Sequence, residues 1–142
     1  MKNLFKTFAA GLIMAASLSS FAIANPNPFR NMAPQSIVNE YVDATAKGET
    51  ADVEHLFSSD FSMKVNAQRS SSYNRSEVLS FIKRHKGIVQ DCAVSNQIIE
   101  ENSNYILAKI TYTYTDFVKY EYVELNREED AWKVSKVTAS YK

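Results

Sequence analysis

Cysteine is almost missing from this sequence: Cys92 stands alone in 142 residues. No intrachain disulfide can form, so packing must hold the fold together. Cys92 itself reads as a small buried thiol or as one half of an intermolecular bridge. Three glycines are too few and too scattered to build a phosphate-cradling loop, and no nucleophile elbow or Cys-His pair is present. The two histidines, His55 and His85, are far apart and neither has a second ligand at helical spacing, which gives no metal signature and no cofactor site. An excess of one charge is also lacking, since 16 basic side chains balance 16 acidic ones. That balance argues against a nucleic-acid partner or an anionic membrane surface.

What is present is an ordinary globular composition, 45% hydrophobic, 12% aromatic and 23% charged, which excludes disorder and leaves room for one domain. The first residues read differently. Lys2 and Lys6 precede the apolar stretch Phe8–Ala16, and Ala22 and Ala24 form an A-x-A site, the pattern of a signal peptide over residues 1–24. The apolar run is shorter than the roughly 20 residues a membrane span needs, so no stable anchor is expected. The expected product is exported, periplasmic or extracellular. Loss of Lys2 and Lys6 tips its formal charge from zero to −2.

All three prolines fall in "NPNPFRNMAP", Asn25 to Pro34, which reads as a flexible N-terminal arm. A domain is expected over residues 35–142. Ile37, Val38, Tyr41, Val42 and Ala44 recur at helical spacing, and Gly48 closes that helix. Thr50 is placed to cap a second short helix with Val53, Leu56 and Phe57 on one face. "DFSMKVN" alternates like a half-buried strand, and "QRSSSYNR" reads as a loop with a short strand around Tyr73. Asn74 and Glu77 have capping-box spacing before a third helix with Val78, Leu79, Phe81 and Ile82 in its stripe, ending in basic residues and Gly87. After Asp91 the chain reads as a strand meander. Ile106, Ala108, Ile110, Tyr112 and Tyr114 share one face of "NYILAKITYTYTD", and the strands "FVKYEYVELNR" and "AWKVSKVTASY" follow. Glu128, Glu129 and Asp130 read as a solvated turn between those two, with Trp132 anchoring the core after it.

This order of helices and strands resembles the nuclear transport factor 2-like superfamily. Two stretches carry the resemblance: "VNEYVDATAKGETADVEHLFSSDFSMKV", Val38 to Val65, and "YVELNREEDAWKVSKV", Tyr122 to Val137, the latter similar to the closing hairpin of a family of bacterial exported proteins labelled lumazine-binding. The resemblance implies an α+β cone in which three N-terminal helices pack on a curved antiparallel sheet around an interior cavity. It also implies the possibility of a homodimer formed through the sheet. The superfamily's isomerases use a tyrosine, a protonated aspartic acid and an aspartate base. Tyr41 matches the first, but Val65 and about Val123 occupy the other positions, and valine can neither accept nor donate a proton.

Three functions are compatible with these residues. The first is non-enzymatic binding of a small aromatic or apolar molecule, with Tyr41, Tyr112, Tyr114, Tyr120 and Tyr122 as the expected walls. These four strand tyrosines share a face if even-numbered residues of both strands point inward, which depends on the register across the turn near Asp116. The second is a lyase or isomerase that uses His55 with Tyr41, and a cavity lacking His55 and any aspartate removes it. The third is an interaction module.

Overall fold

The structure is a computed structural model that describes residues 26–142, so the expected leader lies outside the described residues. Helix α1, Pro34–Ala46, begins with proline at its first position, where the missing N–H costs no hydrogen bond. Ile37, Val38, Tyr41, Val42, Ala44 and Ala46 form its buried stripe. After it comes a single 3-10 turn, Val53–His55, in place of the short second helix. Asp52, not Thr50, occupies the cap position, and its positive φ of 56° bends the chain too sharply to start an α-helix.

Strand β1, Phe57–Asn66, pairs with the short β2, Ser71–Asn74, which leads directly into α2, Arg75–Arg84. The capping box forms as spaced: Asn74 Oδ1 accepts from the Glu77 N–H, and the Glu77 carboxylate accepts from the Asn74 N–H. Strands β3 (Ala93–Glu101), β4 (Tyr105–Thr113), β5 (Val118–Glu128) and β6 (Ala131–Tyr141) complete one sheet of order β2-β1-β6-β5-β4-β3. Two features differ from expectation. Two α-helices, not three, pack on the sheet, while α2 follows β1 and β2 as the sequence order predicts. The sheet is mixed, because β1 runs parallel to β6 while the other pairs are antiparallel. The chain crosses from β2 through α2 and the meander before returning to β1, which permits a parallel neighbour. Register shifts in the β1–β6, β3–β4 and β5–β6 pairs bend the strands over the helices.

The core lies between the helices and the concave face, with Phe57 set edge-on to both Tyr41 and Phe61. Trp132 is buried there, two residues past a tight turn formed by Glu129 and Asp130. Asp130 pairs with Arg30 at 2.6 Å. Part of the proline-rich arm is thus docked: Phe29 is buried in the core and Arg30 forms a β-bridge with Ala131. The apolar ring of Phe29, not the neighbouring prolines, decides where this segment lies. No helix among the described residues is long and apolar enough to cross a membrane.

Candidate functional site

The alternation of β4 and β5 places the site. Tyr112 stands opposite Lys119, and Ile110 stands opposite Glu121, so even residues of β4 share a face with odd residues of β5. Val123 and Leu125 continue that face and are fully buried. Glu121 therefore points into the core, where it is 2% exposed. It is not left alone. Its Oε2 accepts from the Tyr41 hydroxyl at 3.0 Å and from the Tyr112 hydroxyl at 2.9 Å. Its Oε1 lies 3.2 Å from Lys119 Nζ, which also sits 4.0 Å from the centre of the Tyr112 ring. A buried carboxylate is tolerated when paired and hydrogen-bonded in this way. The same burial, reinforced by the Glu121 charge, pushes both tyrosine hydroxyls well above their ordinary pKa of 10.0. They remain donors throughout the physiological range.

Glu121 and Lys119 form the buried end of a cavity of about 720 Å³. Its walls come from α1 (Tyr41, Ala44), β1 (Met63, Val65) and α2 (Val78, Ile82). Its mouth is lined by exposed residues, among them Phe81, Ile88 and Tyr141. His85 lies there as well, its ring packed on Phe81 at 4.1 Å and its Nδ1 donating to the Phe81 carbonyl at 2.7 Å.

The expected residues scatter. Tyr41 lines the cavity and Tyr112 reaches it through Glu121. Tyr114 is half-buried just past the end of β4, stacked on Phe117 and donating to Gln90, and burial with the neighbouring Cys92 raises its hydroxyl to about 12. Tyr120 and Tyr122 are corrected to the outer face. They stand opposite Thr111 and Lys109, with Lys109 Nζ 4.7 Å from the Tyr120 ring and 5.9 Å from the Tyr122 ring. The turn near Asp116 shifts the phase by one residue, and strand side chains alternate faces. His55 does not line the cavity and neither does any aspartate, so the His55–Tyr41 pairing does not assemble. The His55 carbonyl instead accepts from Lys133 Nζ at 3.2 Å. Among the described residues no cluster of three or more metal-ligating side chains occurs. Glu121 and Lys119 were hidden by their charge, although the apolar pair Val123 and Leu125, two and four residues on from Glu121, carried the signal that the odd face turns inward.

A curved sheet closed by two helices around a cavity with one polar end defines an α+β cone. Comparison with solved structures identifies it as the nuclear transport factor 2-like fold. A nuclear transport factor 2-like protein of unknown function from Silicibacter pomeroyi superposes with a TM-score of 0.64 at 11% identity, over 76% of this chain and 92% of that one. A nuclear transport factor 2-like protein from Cytophaga hutchinsonii gives 0.60 at 11% identity, over 78% and 100%. A cystatin-like fold protein from Burkholderia xenovorans gives 0.60 at 13% identity, over 75% and 87%. No protein-family model matches the sequence, and no curated protein matches it.

Proposed function

We infer that this chain binds a small, largely aromatic or apolar molecule in its cone and performs no chemistry of its own. The observation that carries this reading is the cavity: about 720 Å³, with Met63, Val65, Val78 and Ile82 as apolar wall, polar side chains such as Glu77 and Arg84 also in its lining, and the Tyr41–Glu121–Lys119 group closing its inner end. Ligand sites of roughly 300–1,000 Å³ with few polar groups are the usual form. The leader-like residues 1–24 support action outside the cytoplasm, and the hairpin resemblance supports a ligand of the planar, lumazine-like kind. Native mass spectrometry of the protein from its own host's exported fraction tests the reading. A small-molecule adduct is expected on the wild type and is lost in Val65→Trp, which fills the cavity. A bare mass, with no thermal shift against pterins and flavins, overturns it.

A second reading, self-association through the sheet, rests on the outer-face Tyr122 and Tyr120, of which Tyr122 is exposed. Sedimentation velocity decides it: a dimer that Tyr122→Glu dissociates supports it, and a wild-type monomer at high concentration removes it.

A further inference from the structure

Hydrogen-bonding capacity at the buried end of the cavity is unevenly used. A carboxylate oxygen has two lone-pair positions, and Glu121 Oε2 gives both to Tyr41 and Tyr112. Oε1 faces only the Lys119 ammonium, an ion pair at 3.2 Å, and so keeps acceptor capacity. The Lys119 ammonium has three N–H groups and meets Oε1 as an ion pair, so donors remain beside that acceptor. Both side chains line the cavity and both are largely sheltered from water, with side-chain exposures of 14% for Lys119 and 3% for Glu121. The two tyrosines on Oε2 fix the carboxylate's plane, and the Tyr112 ring supports the ammonium from one side at 4.0 Å. The result is an oriented acceptor next to an oriented donor.

The charges select among ligands. At the buried end an anion would meet Lys119 but also the adjacent Glu121 charge, and a cation would meet the reverse, whereas Glu77, Arg84 and His85 line the cavity elsewhere. A neutral group that offers an acceptor and a donor side by side satisfies both without leaving an unpaired charge in a sheltered site. We propose that Lys119 and Glu121 together recognise the amide edge of a planar ring, a cyclic lactam or imide, with the ring carbonyl accepting from Lys119 Nζ and the ring N–H donating to Glu121 Oε1. The apolar walls of Met63, Val65, Val78 and Ile82 enclose the remainder of the ring. This proposal deepens the small-molecule reading above and rests on it.

The test uses one bicyclic frame with different edges, titrated into the purified chain and followed by protein NMR. Quinolin-2(1H)-one carries the amide edge, its N-methyl derivative lacks the donor, and quinoline lacks the pair. Quinoline-2-carboxylate and 2-(aminomethyl)quinoline carry charge. Quinolin-2(1H)-one is expected to bind about tenfold tighter than quinoline, as one net hydrogen bond provides, and N-methylation abolishes that advantage. In Glu121→Gln, where the amide nitrogen replaces the free acceptor, the ratio of the two affinities falls toward one, and Lys119→Met does the same. The ligand series needs no variant, so misfolding of either leaves the test intact. Equal binding of quinoline and quinolin-2(1H)-one overturns this proposal and leaves the cavity reading standing. Tighter binding of the acid or the amine overturns it in favour of an ionic ligand. No binding of any ring to the wild type removes the cavity reading, and the proposal with it.

Discussion

Tyr41 on α1 and Glu121 on β5 lie 80 residues apart in the chain and meet through a buried 3.0 Å hydrogen bond. That contact ties the helix to the sheet at the point where the cavity ends. Removing one of the two donors on Oε2 leaves a buried carboxylate less well satisfied, so Tyr41→Phe and Tyr112→Phe are each expected to cost about 1–3 kcal/mol. Glu121→Leu leaves two hydroxyls and an ammonium without their acceptor and is expected to cost more, about 3–5 kcal/mol. Urea denaturation at constant m-value checks the order. If Glu121→Leu proves no worse than Tyr41→Phe, the carboxylate is not the centre of the network.

Alkaline stability follows from the same residues. Burial, together with the Glu121 charge, raises the Tyr41 and Tyr112 hydroxyls well above 10.0 in the folded state. Above pH 10 the unfolded chain releases those protons while the folded chain keeps them, so the unfolded state binds fewer protons and stability falls as pH rises. Their contribution is intact below pH 10 and is lost as pH climbs toward the folded values. Each tyrosine adds about 1.4 kcal/mol per pH unit to the slope in that window. A Tyr41→Phe/Tyr112→Phe double variant should therefore show a shallower loss of stability above pH 10 than the wild type, measured by denaturant titration at successive pH values.

Gly48 and Gly87 make a matched pair. Both have positive φ, 70° and 76°. At Gly48 an added Cβ would lie 2.6 Å from the Gly87 nitrogen and 2.8 Å from the His85 carbonyl oxygen, whereas at Gly87 it would meet nothing within 4 Å. Gly87→Ala should cost only the left-handed backbone penalty of about 1–2 kcal/mol. Gly48→Ala must also break the 2.9 Å hydrogen bond from the Gly87 N–H to the Gly48 carbonyl or shift the backbone, and is expected to lower Tm several degrees further. Equal Tm values for the two would show that the ends of α1 and α2 do not press together at Gly48.

The face assignment of the strand tyrosines is open to mutation. Tyr112 is fully buried, and Tyr122 is 36% exposed on the other side of the sheet. Tyr112→Ala is expected to cost about 3–5 kcal/mol, as for a large buried ring, and Tyr122→Ala about 1 kcal/mol or less. A reversed order in equilibrium unfolding would mean that β5 is displaced by one residue from its Ile110–Glu121 pairing with β4.

Much of the fold was legible because its signals are local. The stripe Ile37–Ala44, the Asn74–Glu77 capping box, the alternation of Ile106 to Tyr112 and the turn before Trp132 all depend on residues a few positions apart, and periodicity or hydrogen-bond spacing identifies them. Less was legible where one residue decided a local geometry against the general pattern. The positive φ at Asp52 reduced an expected helix to a 3-10 turn, and the burial of Phe29 docked a segment that its prolines had marked as an arm. The parallel β1–β6 pairing was not legible at all, since strand partnership depends on how the whole chain closes.

The candidate site divides along the same line. The amino-acid sequence by itself determined that there is no disulfide framework or glycine-rich phosphate loop, that Tyr41 belongs to the inner stripe of a helix, and that the closing hairpin turns at its acids. Tertiary structure alone decided which side of β5 faces the cavity. A one-residue change of phase at the turn near Asp116 exchanges Tyr120 and Tyr122 for Lys119 and Glu121, and nothing local sets that phase. A charged residue on a strand ordinarily marks the solvent side. In this fold Glu121 is inside because Tyr41 and Tyr112, brought to it from α1 and β4, supply the hydrogen bonds, and Lys119 the opposite charge, that water would otherwise provide.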